Sequence, residues 1–329
     1  MKLAFFDTKS YDIPGFDRYA IPAGIEIKYF EPNLDEDTVS LAAGFDAVCV
    51  FVNDTVNANV VGKLYQLGVK AVLLRCAGFN NVDIKACQGK LRVFRVPAYS
   101  PHAVAEHAMA LLLTINRRTH KAYIRTREFN FSLQGLAGFD LYGKTVGIIG
   151  TGKIGRVFAD ICKGFGMNIL AYDKFPAENA GLHYVDLPEL FEKSDIISLH
   201  CPLTEETRHI INADSIAKMK KGVTIINTSR GGLINTEDLI NGIKEKKVGA
   251  ACLDVYEEEG DLFYEDFSGH IVQDDKLVRL IAMPNVIVTS HQAFLTNEAL
   301  DNIAATTVNN MTRFFSGDPD TTTEVCYHK

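Results

Sequence analysis

Short apolar runs alternate with helix-compatible stretches along residues 1–98 of the chain. The apolar runs predict β-strands at Leu3–Phe6, Glu26–Phe30, Ala47–Val52, Ala71–Arg75 and Val93–Val96. Two of the stretches between them, Asn59–Gln66 and Val82–Gln88, have helical character. Strands that alternate with helices are typical of parallel sheets, so this part of the chain predicts a small parallel α/β unit.

The same alternation restarts after Gly143, following a long helix that alanine and leucine spacing predicts from Pro101 to about Arg118. Strands are predicted at Thr145–Ile149, Asn168–Tyr172, Asp195–Leu199, Thr224–Asn227, Ala250–Leu253 and Val286–Thr289. Helices are predicted at Lys153–Phe165, Leu187–Lys193, Asp214–Met219, Thr236–Lys246 and Thr296–Phe315. This second series predicts one doubly wound sheet.

A glycine turn opens the second series. Gly150, Gly152 and Gly155 form a G-x-G-x-x-G between a predicted strand and a predicted helix, and Asp173 ends the next strand. The first glycine permits a tight turn, the second lets the backbone approach a pyrophosphate, and the third lets helix and strand pack closely. A carboxylate at Asp173 suits the ribose hydroxyls of NAD and repels the 2′-phosphate of NADP. The pattern therefore predicts an NAD site, the alternative being a glycine turn in some other α/β protein.

The position of this turn suggests how the chain is organised. Because the turn starts in the middle of the chain, we expect a first domain before it, to which the tail returns. The expected fold is α/β with two doubly wound parallel-sheet domains, a Rossmann coenzyme domain inserted in a flavodoxin-like substrate domain. The predicted boundaries are 1–99 plus 296–329 for the substrate domain and 100–295 for the NAD-binding domain. We expect the active site in the cleft between the two domains.

Composition narrows the class of protein. The 329 residues carry a net charge of −7, which argues against nucleic acid as a partner. The basic run from Arg117 to Arg127 is interpreted as a solvated or subunit-facing helix. No apolar run has membrane-spanning length, and the N-terminus becomes acidic too early for a signal peptide. Seven cysteines without a C-x-x-C pair indicate buried reduced thiols, no zinc site and a cytoplasmic protein.

Candidate chemistry lies just after the strands of the second sheet, where open α/β sheets bind ligands. The polar residues at these points are Asp173, His200, Asn227–Arg230, Asp254, Glu257–Glu259 and His291. Oxidation of a hydroxyl-bearing carbon needs a base, for which His200 and His291 compete equally, and a cation for any carboxylate, which suits Arg230. For Arg230, its position in the sequence makes a surface salt bridge the less favoured role. For the run Glu257–Glu259, position leaves a solvated charge cluster and a catalytic role equally open.

The other histidines are interpreted as ordinary surface or capping residues. They are His102, His107, His120, His183, His209, His270 and His328.

Several motifs together resemble the D-isomer-specific 2-hydroxyacid dehydrogenases over essentially the whole chain. The matching stretches are Arg75–Asp83, Val96–Pro101, Gly150–Gly155, His200–Thr204, Asn227–Gly231, Asp254–Glu257 and His291–Phe294. Within the family, Tyr99 and the His-Gln-Ala-Phe run favour the branch that acts on lactate.

The resemblance implies roles for particular residues. His291 becomes the proton donor and acceptor, Glu259 hydrogen-bonds it and favours its imidazolium form, and Arg230 clamps the substrate carboxylate. Backbone amides near Gly78 hold the same carboxylate, and Tyr99 closes the substrate side. Phe51, Tyr99 and Phe294 are expected to narrow the pocket toward a small substrate. The cofactor contacts are expected at Gly150, Gly152, Lys153, Ile154, Gly155, Asp173, Cys201, Pro202, Thr207, Thr228, Ser229, Arg230 and Asp254.

The function implied is reversible hydride transfer that reduces pyruvate to D-lactate with NADH, without a metal. One alternative is a dehydrogenase for a larger D-2-hydroxy acid. A different class is an NAD-sensing binding protein or corepressor, against which the complete set of Arg230, Glu259 and His291 argues. The helix from Pro101 and the Arg117–Arg127 run correspond to the subunit interface of the family, which implies at least a homodimer.

Overall fold

A computed structural model of the chain describes residues 1–177, 179–260 and 262–327. The chain divides into two compact units, one formed by Met1–Ser100 with the chain from Phe294 onward, the other by Pro101–Ala293. The strands are β1 (Lys2–Phe5), β2 (Glu26–Tyr29), β3 (Ala47–Val50), β4 (Ala71–Leu74), β5 (Arg92–Phe94), β6 (Thr145–Ile149), β7 (Asn168–Tyr172), β8 (Ile196–Leu199), β9 (Val223–Asn227), β10 (Val248–Leu253) and β11 (Val286–Val288).

The helices follow the same order along the chain. They are α1 (Ile13–Ala20), α2 (Ala58–Gln66), α3 (Ile84–Cys87), α4 (Pro101–Arg117), α5 (Thr119–Arg127), α6 (Lys153–Gly164), α7 (Leu187–Lys193), α8 (Ala213–Lys218), α9 (Thr236–Lys244), α10 (Asp275–Ala282) and α11 (Asn297–Phe315). None of the helices in the described chain is long and apolar enough to cross a bilayer.

The first unit is built on a parallel sheet with the strand order β2-β1-β3-β4-β5. Strands β3 and β4 are buried along their whole length, which explains why their sequences are continuous apolar runs. The order is that of flavodoxin-like folds, as predicted. An antiparallel bridge between Phe94 and Glu324 brings the C-terminal segment to the outer edge of β5.

The second unit is built on a parallel sheet with the order β11-β10-β9-β8-β6-β7. A parallel bridge between Ala171 and Tyr184 adds a rudimentary strand beyond β7, which completes the outer half of a Rossmann sheet. Strand order reverses between β6 and β8, and the glycine turn follows β6 at this switch point. The two doubly wound domains predicted from sequence are therefore confirmed, and the switch point is where such sheets bind nucleotides.

Two helices escaped the sequence analysis. Helix α1 and helix α10 are short amphipathic segments for which the sequence analysis made no prediction. The long helix predicted to end at about Arg118 ends at Arg117, because Arg118 adopts a left-handed φ of 52°. The six cysteines other than Cys326 are buried free thiols, as their apolar surroundings predicted.

Candidate active site

The glycine turn packs so closely against neighbouring backbone that two of its positions have no space for a side chain. Gly150 has a φ of 95°, and a Cβ atom there would lie 2.4 Å from the backbone nitrogen of Cys201. A Cβ at Gly155 would lie 2.0 Å from the carbonyl oxygen of Gly150. Neither position can hold a side chain, because β6, α6 and the loop after β8 meet here without space for one.

The start of α6 is open to an anion. Gly152 caps the helix without any side-chain hydrogen bond, and space for at least 4 Å around its missing Cβ is empty. The first N–H groups of a helix lack intrahelical partners and carry partial positive charge. Lys153 at the first helical position is exposed, and Ile154 packs partly against the core of the unit. The turn can therefore cradle a pyrophosphate with backbone amides.

Asp173 stands at the end of β7, where its carboxylate is fixed by the glycine turn. Its Oδ2 accepts hydrogen bonds from the backbone nitrogen of Thr151 at 2.6 Å and from Thr151 Oγ1 at 3.0 Å. Its Oδ1 accepts one from the nitrogen of Phe175 at 2.9 Å. Partial burial acts to raise the pKa of Asp173, but these hydrogen bonds outweigh it and the pKa lies below its usual value. The carboxylate is thus ionised and oriented at neutral pH.

A buried hydroxyl without a partner lies among the other expected cofactor contacts. Thr228 Oγ1 is buried and makes no hydrogen bond within the described chain. Its neighbour Ser229 donates from Oγ to the carbonyl of Cys201 at 2.7 Å. Thr207 Oγ1 donates to the carbonyl of Pro202 at 2.7 Å. A buried hydroxyl without a partner is expected to bind a polar group that is not part of the described chain. The shape of the turn and this available hydroxyl both fit a bound dinucleotide.

His291 occupies a strained turn whose geometry is fixed by its neighbours. Its φ is 53°, a left-handed conformation that non-glycine residues rarely adopt. The backbone nitrogen donates to the carbonyl of Asp254 at 2.7 Å. Nδ1 lies 3.0 Å from Glu259 Oε1, and the ring of Tyr264 stacks at a centroid distance of 6.1 Å. Because Nδ1 is engaged by the carboxylate, Nε2 is the ring nitrogen left for proton transfer.

Asp254 holds the loop that carries His291. Its side chain is fully buried, and its oxygens accept from the nitrogens of Gln292 and Ala293, each at 2.9 Å. Thr289 Oγ1 donates to Oδ1 at 2.6 Å, and His107 Nε2 lies 3.3 Å from the same oxygen. The expected cofactor contact of this carboxylate stays a prediction. Its contacts within the described chain fix the turn around His291 and compensate its charge inside the unit.

The three consecutive glutamates have three different environments. Glu257 Oε1 contacts His209 Nε2 at 2.5 Å, and Oε2 accepts from Thr236 at the start of α9. Glu258 is exposed and lies 3.8 Å from Lys276 Nζ. Glu259 alone reaches His291, while its Oε2 accepts from the nitrogen of Tyr256 at 2.9 Å. The three glutamates therefore differ in role: Glu257 pairs with His209, Glu258 is exposed to solvent, and Glu259 contacts His291.

His200, the other histidine considered as a base, has apolar surroundings. Its ring lies against Phe158 at a centroid distance of 5.0 Å, and its Nε2 is 2.8 Å from Ser198 Oγ. Burial lowers the pKa of His200 to about 3. The ring is neutral at physiological pH and has no carboxylate partner in the described chain. Of these two histidines, only His291 has a carboxylate partner in the described chain together with a second ring nitrogen that is available for proton transfer, which favours it over His200.

Arg230 follows β9 with an unneutralised charge. Its Nη1 donates to the carbonyl of Ser229 at 2.7 Å, and no carboxylate within the described residues pairs with it. Asn227 Nδ2 donates to its carbonyl at 2.9 Å. Gly231 lies so close to Tyr256 that a Cβ would sit 1.9 Å from its carbonyl oxygen. The guanidinium is held by a rigid turn and is not neutralised by a surface salt bridge, so it can receive an anion.

The expected substrate-side residues lie in the first unit. Gly78 stands in the loop after β4, and Tyr99 and Phe294 have ring centroids 6.1 Å apart in an edge-on arrangement. Phe51 and Phe294 are also 6.1 Å apart. The nitrogen of the Asn302 amide donates to the carbonyl of Tyr99 at 2.8 Å. These aromatic residues form one cluster within that unit.

Two of the histidines interpreted as ordinary surface residues have specific partners, so that interpretation is wrong for His107 and His209. His107 contacts the buried Asp254, and His209 contacts Glu257. Sequence reasoning also missed Thr151 and Tyr264, which contact Asp173 and His291. Thr151 lies inside the glycine motif, where its hydroxyl was a local signal for this contact. The other partners come from distant segments and left no local signal. His328 lies outside the described residues.

Comparison with known proteins places these features in a family. The family model described as "D-isomer specific 2-hydroxyacid dehydrogenase, NAD binding domain" matches residues 109–293. A "2-hydroxyacid dehydrogenase homolog" of Haemophilus influenzae is 54% identical over 96% of this chain and 97% of its own length. D-Lactate dehydrogenase of Escherichia coli is 51% identical over 97% of this chain and 98% of its own. The solved apo-structure of the Escherichia coli D-lactate dehydrogenase has a TM-score of 0.91 at 48% identity, covering 99% of this chain and all of that one.

Proposed function

The chain belongs to the D-isomer-specific 2-hydroxyacid dehydrogenases and binds NAD, and from this premise we propose that it is a D-lactate dehydrogenase that reduces pyruvate with NADH. The observation that carries the proposal is the pairing of His291 with Glu259 at 3.0 Å in the same unit as the dinucleotide turn and the unneutralised Arg230. An acid–base group, a cation and a nucleotide cradle are the parts that hydride transfer to a 2-keto acid requires.

His291, Glu259 and Arg230 each have a separate role in the proposed reduction of the keto acid. Bound NADH supplies the hydride for C2 of the keto acid. His291 donates a proton from Nε2 to the keto oxygen, and it takes the proton back when the reaction runs toward oxidation. Glu259 holds Nδ1 and stabilises the imidazolium form. Arg230 binds the carboxylate with its two-pronged guanidinium and draws charge from the carbonyl.

The cofactor contacts are proposed at the turn and at the strand ends around it. Backbone amides of Gly152, Lys153 and Ile154 would face the pyrophosphate, and Asp173 would accept from the ribose hydroxyls. The remaining proposed contacts are Gly150, Gly155, Cys201, Pro202, Thr207, Thr228, Ser229, Arg230 and Asp254. The orphaned Thr228 hydroxyl supports this assignment most directly, because a buried hydroxyl without a partner is costly.

We propose a small substrate because of the loop at Gly78 and the aromatic residues of the first unit. Amides of the loop at Gly78 would bind the substrate carboxylate, and Tyr99 and Phe294 would lie beside the methyl group. The cluster of Phe51, Tyr99 and Phe294 supports pyruvate over branched acids because three rings leave little space for a larger side chain. A dehydrogenase for a larger D-2-hydroxy acid is the second candidate, favoured by relatives that are named only as 2-hydroxyacid dehydrogenases.

We further propose a cytoplasmic homo-oligomer in which residues 100–295 form the NAD-binding domain, and residues 1–99 with 296–329 the substrate domain. Exposed apolar side chains after α5, among them Phe129, Phe131 and Leu133, support a subunit interface there. The buried free thiols support a reducing compartment. A binding protein without catalysis is disfavoured by the assembled His291, Glu259 and Arg230.

One experiment tests the proposal. NADH oxidation is measured with pyruvate and with branched 2-keto acids, and the handedness of the hydroxy acid is determined. We expect kcat/KM to be highest for pyruvate and the product to be D-lactate. A higher kcat/KM for a branched acid supports the second candidate, while NADH binding without turnover of any 2-keto acid supports a sensing protein.

A further inference from the structure

The loop that follows β4 has two successive carbonyl groups that are held by side chains. Arg95 Nη1 donates to the carbonyl oxygen of Ala77 at 2.9 Å. Cys76 Sγ donates to the carbonyl oxygen of Gly78 at 3.3 Å. The peptide groups Ala77–Gly78 and Gly78–Phe79 are therefore both fixed through their oxygens, and one of the two donors carries a full positive charge.

The nitrogen sides of the same peptide groups are free. In a trans peptide the N–H points opposite to the C=O of the same group, so the amides of Gly78 and Phe79 face away from Arg95 and Cys76. Neither amide donates to any atom of the described chain. A hydrogen bond to a carbonyl oxygen polarises the whole peptide group and makes its N–H a stronger donor. The charge on Arg95 consequently strengthens the Gly78 amide.

Arg95 is itself firmly placed. Its backbone nitrogen donates to the carbonyl of Thr323 at 2.9 Å, and its carbonyl accepts from Asn310 Nδ2 at 3.2 Å. Its guanidinium lies 5.3 Å from the centroid of the Phe79 ring, which holds the far end of the loop. No ion pair within the described residues neutralises it. Its position therefore depends on the C-terminal segment and α11, and its charge is directed to the loop.

We propose that Arg95 is a positioning residue that orients and polarises the Gly78 amide toward the carboxylate of the 2-keto acid. The inference rests on the proposed function, in which this amide binds the substrate. Arg95 contacts no reacting atom, and its contribution reaches the substrate through one peptide group. Its loss would weaken binding of the carboxylate in the ground state and the transition state alike, which raises KM more than it lowers kcat.

The test compares Arg95→Met with Arg95→Lys and with the control Arg92→Met. Arg92 is the first residue of the edge strand β5, which ends just before Arg95. It also lies over aromatic rings, 5.9 Å from Phe94 and 5.8 Å from Phe314, but its ion pair is with Glu324 and not with the loop. Steady-state kinetics with pyruvate are combined with calorimetric binding of NADH and, in the presence of NADH, of oxamate, an unreactive analogue that keeps the carboxylate. Tm is recorded for every variant.

For Arg95→Met we expect KM for pyruvate and Kd for oxamate to rise together by about three- to tenfold, because the Gly78 amide remains but becomes a weaker and less firmly held donor. Turnover should change by less than about threefold, and the Kd for NADH should stay at its wild-type value. Arg95→Lys keeps a charge near the carbonyl, so it should recover part of the affinity. Arg92→Met should match the wild type in KM and in oxamate binding.

Wild-type KM and oxamate binding in folded Arg95→Met or, if that variant does not fold, in Arg95→Lys would overturn the inference and leave the proposed function intact. Equal loss of oxamate affinity in Arg92→Met and Arg95→Met would also overturn it, because the effect would then be a general one of the edge strand. A wild-type enzyme that reduces no 2-keto acid defeats the proposed function and this inference with it. If the wild type prefers a different 2-keto acid, the same comparison is made with that acid.

Discussion

His200 and His291 both follow a strand of the same sheet, yet their surroundings give them opposite chemistry. Burial beside Phe158 lowers the pKa of His200 to about 3, whereas His291 has the Glu259 carboxylate at 3.0 Å. A charged neighbour and the loss of water act on an imidazole in opposite directions. The local sequence shows neither influence, since both partners of these rings come from other segments.

Replacement of His291 should stop the chemistry and leave the cofactor site intact. We expect His291→Gln to lower kcat for keto-acid reduction by about 100-fold or more, the scale of losing a general acid, with a wild-type Kd for NADH. His200→Gln serves as the comparison and should cost far less activity. Stopped-flow and equilibrium binding measurements decide the matter, and a larger kcat loss in His200→Gln would reverse the assignment.

His200 should instead be visible in the pH dependence of stability. Its pKa is about 3 in the folded chain and about 6.5 when unfolded, so below pH 6.5 the unfolded state binds more protons. Stability is then lost as the pH falls, by up to about 1.4 kcal/mol per pH unit for one proton. We expect Tm to fall less between pH 7 and pH 5 in His200→Gln than in the wild type. The exposed residue His183 provides the control variant, His183→Gln. If Tm changes with pH to the same extent in the wild type, His200→Gln and His183→Gln, the lowered pKa of His200 is refuted.

The glutamate run predicts a selective loss of activity. Glu259→Gln keeps the size of the side chain but removes the carboxylate that contacts Nδ1 of His291, so kcat for keto-acid reduction should fall by about tenfold or more with a wild-type Kd for NADH. Exposed Glu258→Gln, whose side chain lies beside Lys276, should leave kcat unchanged. Steady-state kinetics make the comparison, and a loss of kcat in Glu258→Gln without one in Glu259→Gln would give the role to the neighbour.

At the scale of elements, β6, the glycine turn, α6 and β7 form one nucleotide-binding motif that sequence alone identified. The pattern of apolar runs placed both strands to the residue. Strand β6 is buried over Val146–Ile149 and must be continuously apolar, while β7 is only partly buried but keeps an apolar run from Ile169 to Ala171. The motif could not reveal that Asp173 also fixes the turn through Thr151. Helices α1 and α10 were missed because helices of eight residues take their stability from tertiary packing, α1 chiefly against α11 and α10 chiefly against β11, and the sequence does not display that packing.

The double role of Asp173 makes cofactor choice testable. Asp173→Ala should weaken NADH and relieve the repulsion of the 2′-phosphate, narrowing the preference for NADH over NADPH by about tenfold or more. Thr151→Val removes the Thr151 hydroxyl but keeps the charge of Asp173. It should weaken both cofactors to the same extent and preserve their ratio, as measured by kcat/KM for each. An unmodified enzyme that uses both cofactors equally well would contradict the role of Asp173.

At the scale of the whole molecule, each unit has its own sheet and its own buried core, as a chain of this length allows. Several large apolar side chains are exposed on the described part of the chain, and they are most concentrated in the segment after α5. Phe129, Phe131, Leu133 and Tyr142 are each 72% to 83% exposed, all after α5. Large apolar side chains concentrated in one segment are typical of a subunit interface.

This segment predicts an oligomer that charge can disrupt. The protein should have a native mass of at least a dimer by light scattering, and Phe131→Glu combined with Leu133→Glu should yield a smaller species because two carboxylates cannot be buried in an apolar interface. Ile21→Glu combined with Ile271→Glu places the same two carboxylates at exposed apolar positions elsewhere and should leave the mass unchanged. A monomeric wild type would refute the proposed assembly.

The sequence by itself determined the parallel α/β architecture, the glycine turn and the set of polar residues at the strand ends. These features are local, because strand periodicity, helix spacing and a turn that needs glycine are written in consecutive residues. Only the tertiary structure decided which glutamate of three meets His291, which histidine loses its charge, and that Asp254 and His107 brace the site. Those outcomes depend on contacts between segments far apart in the chain, and burial and pairing, which set the chemistry of an ionisable group, exist only once the chain has folded.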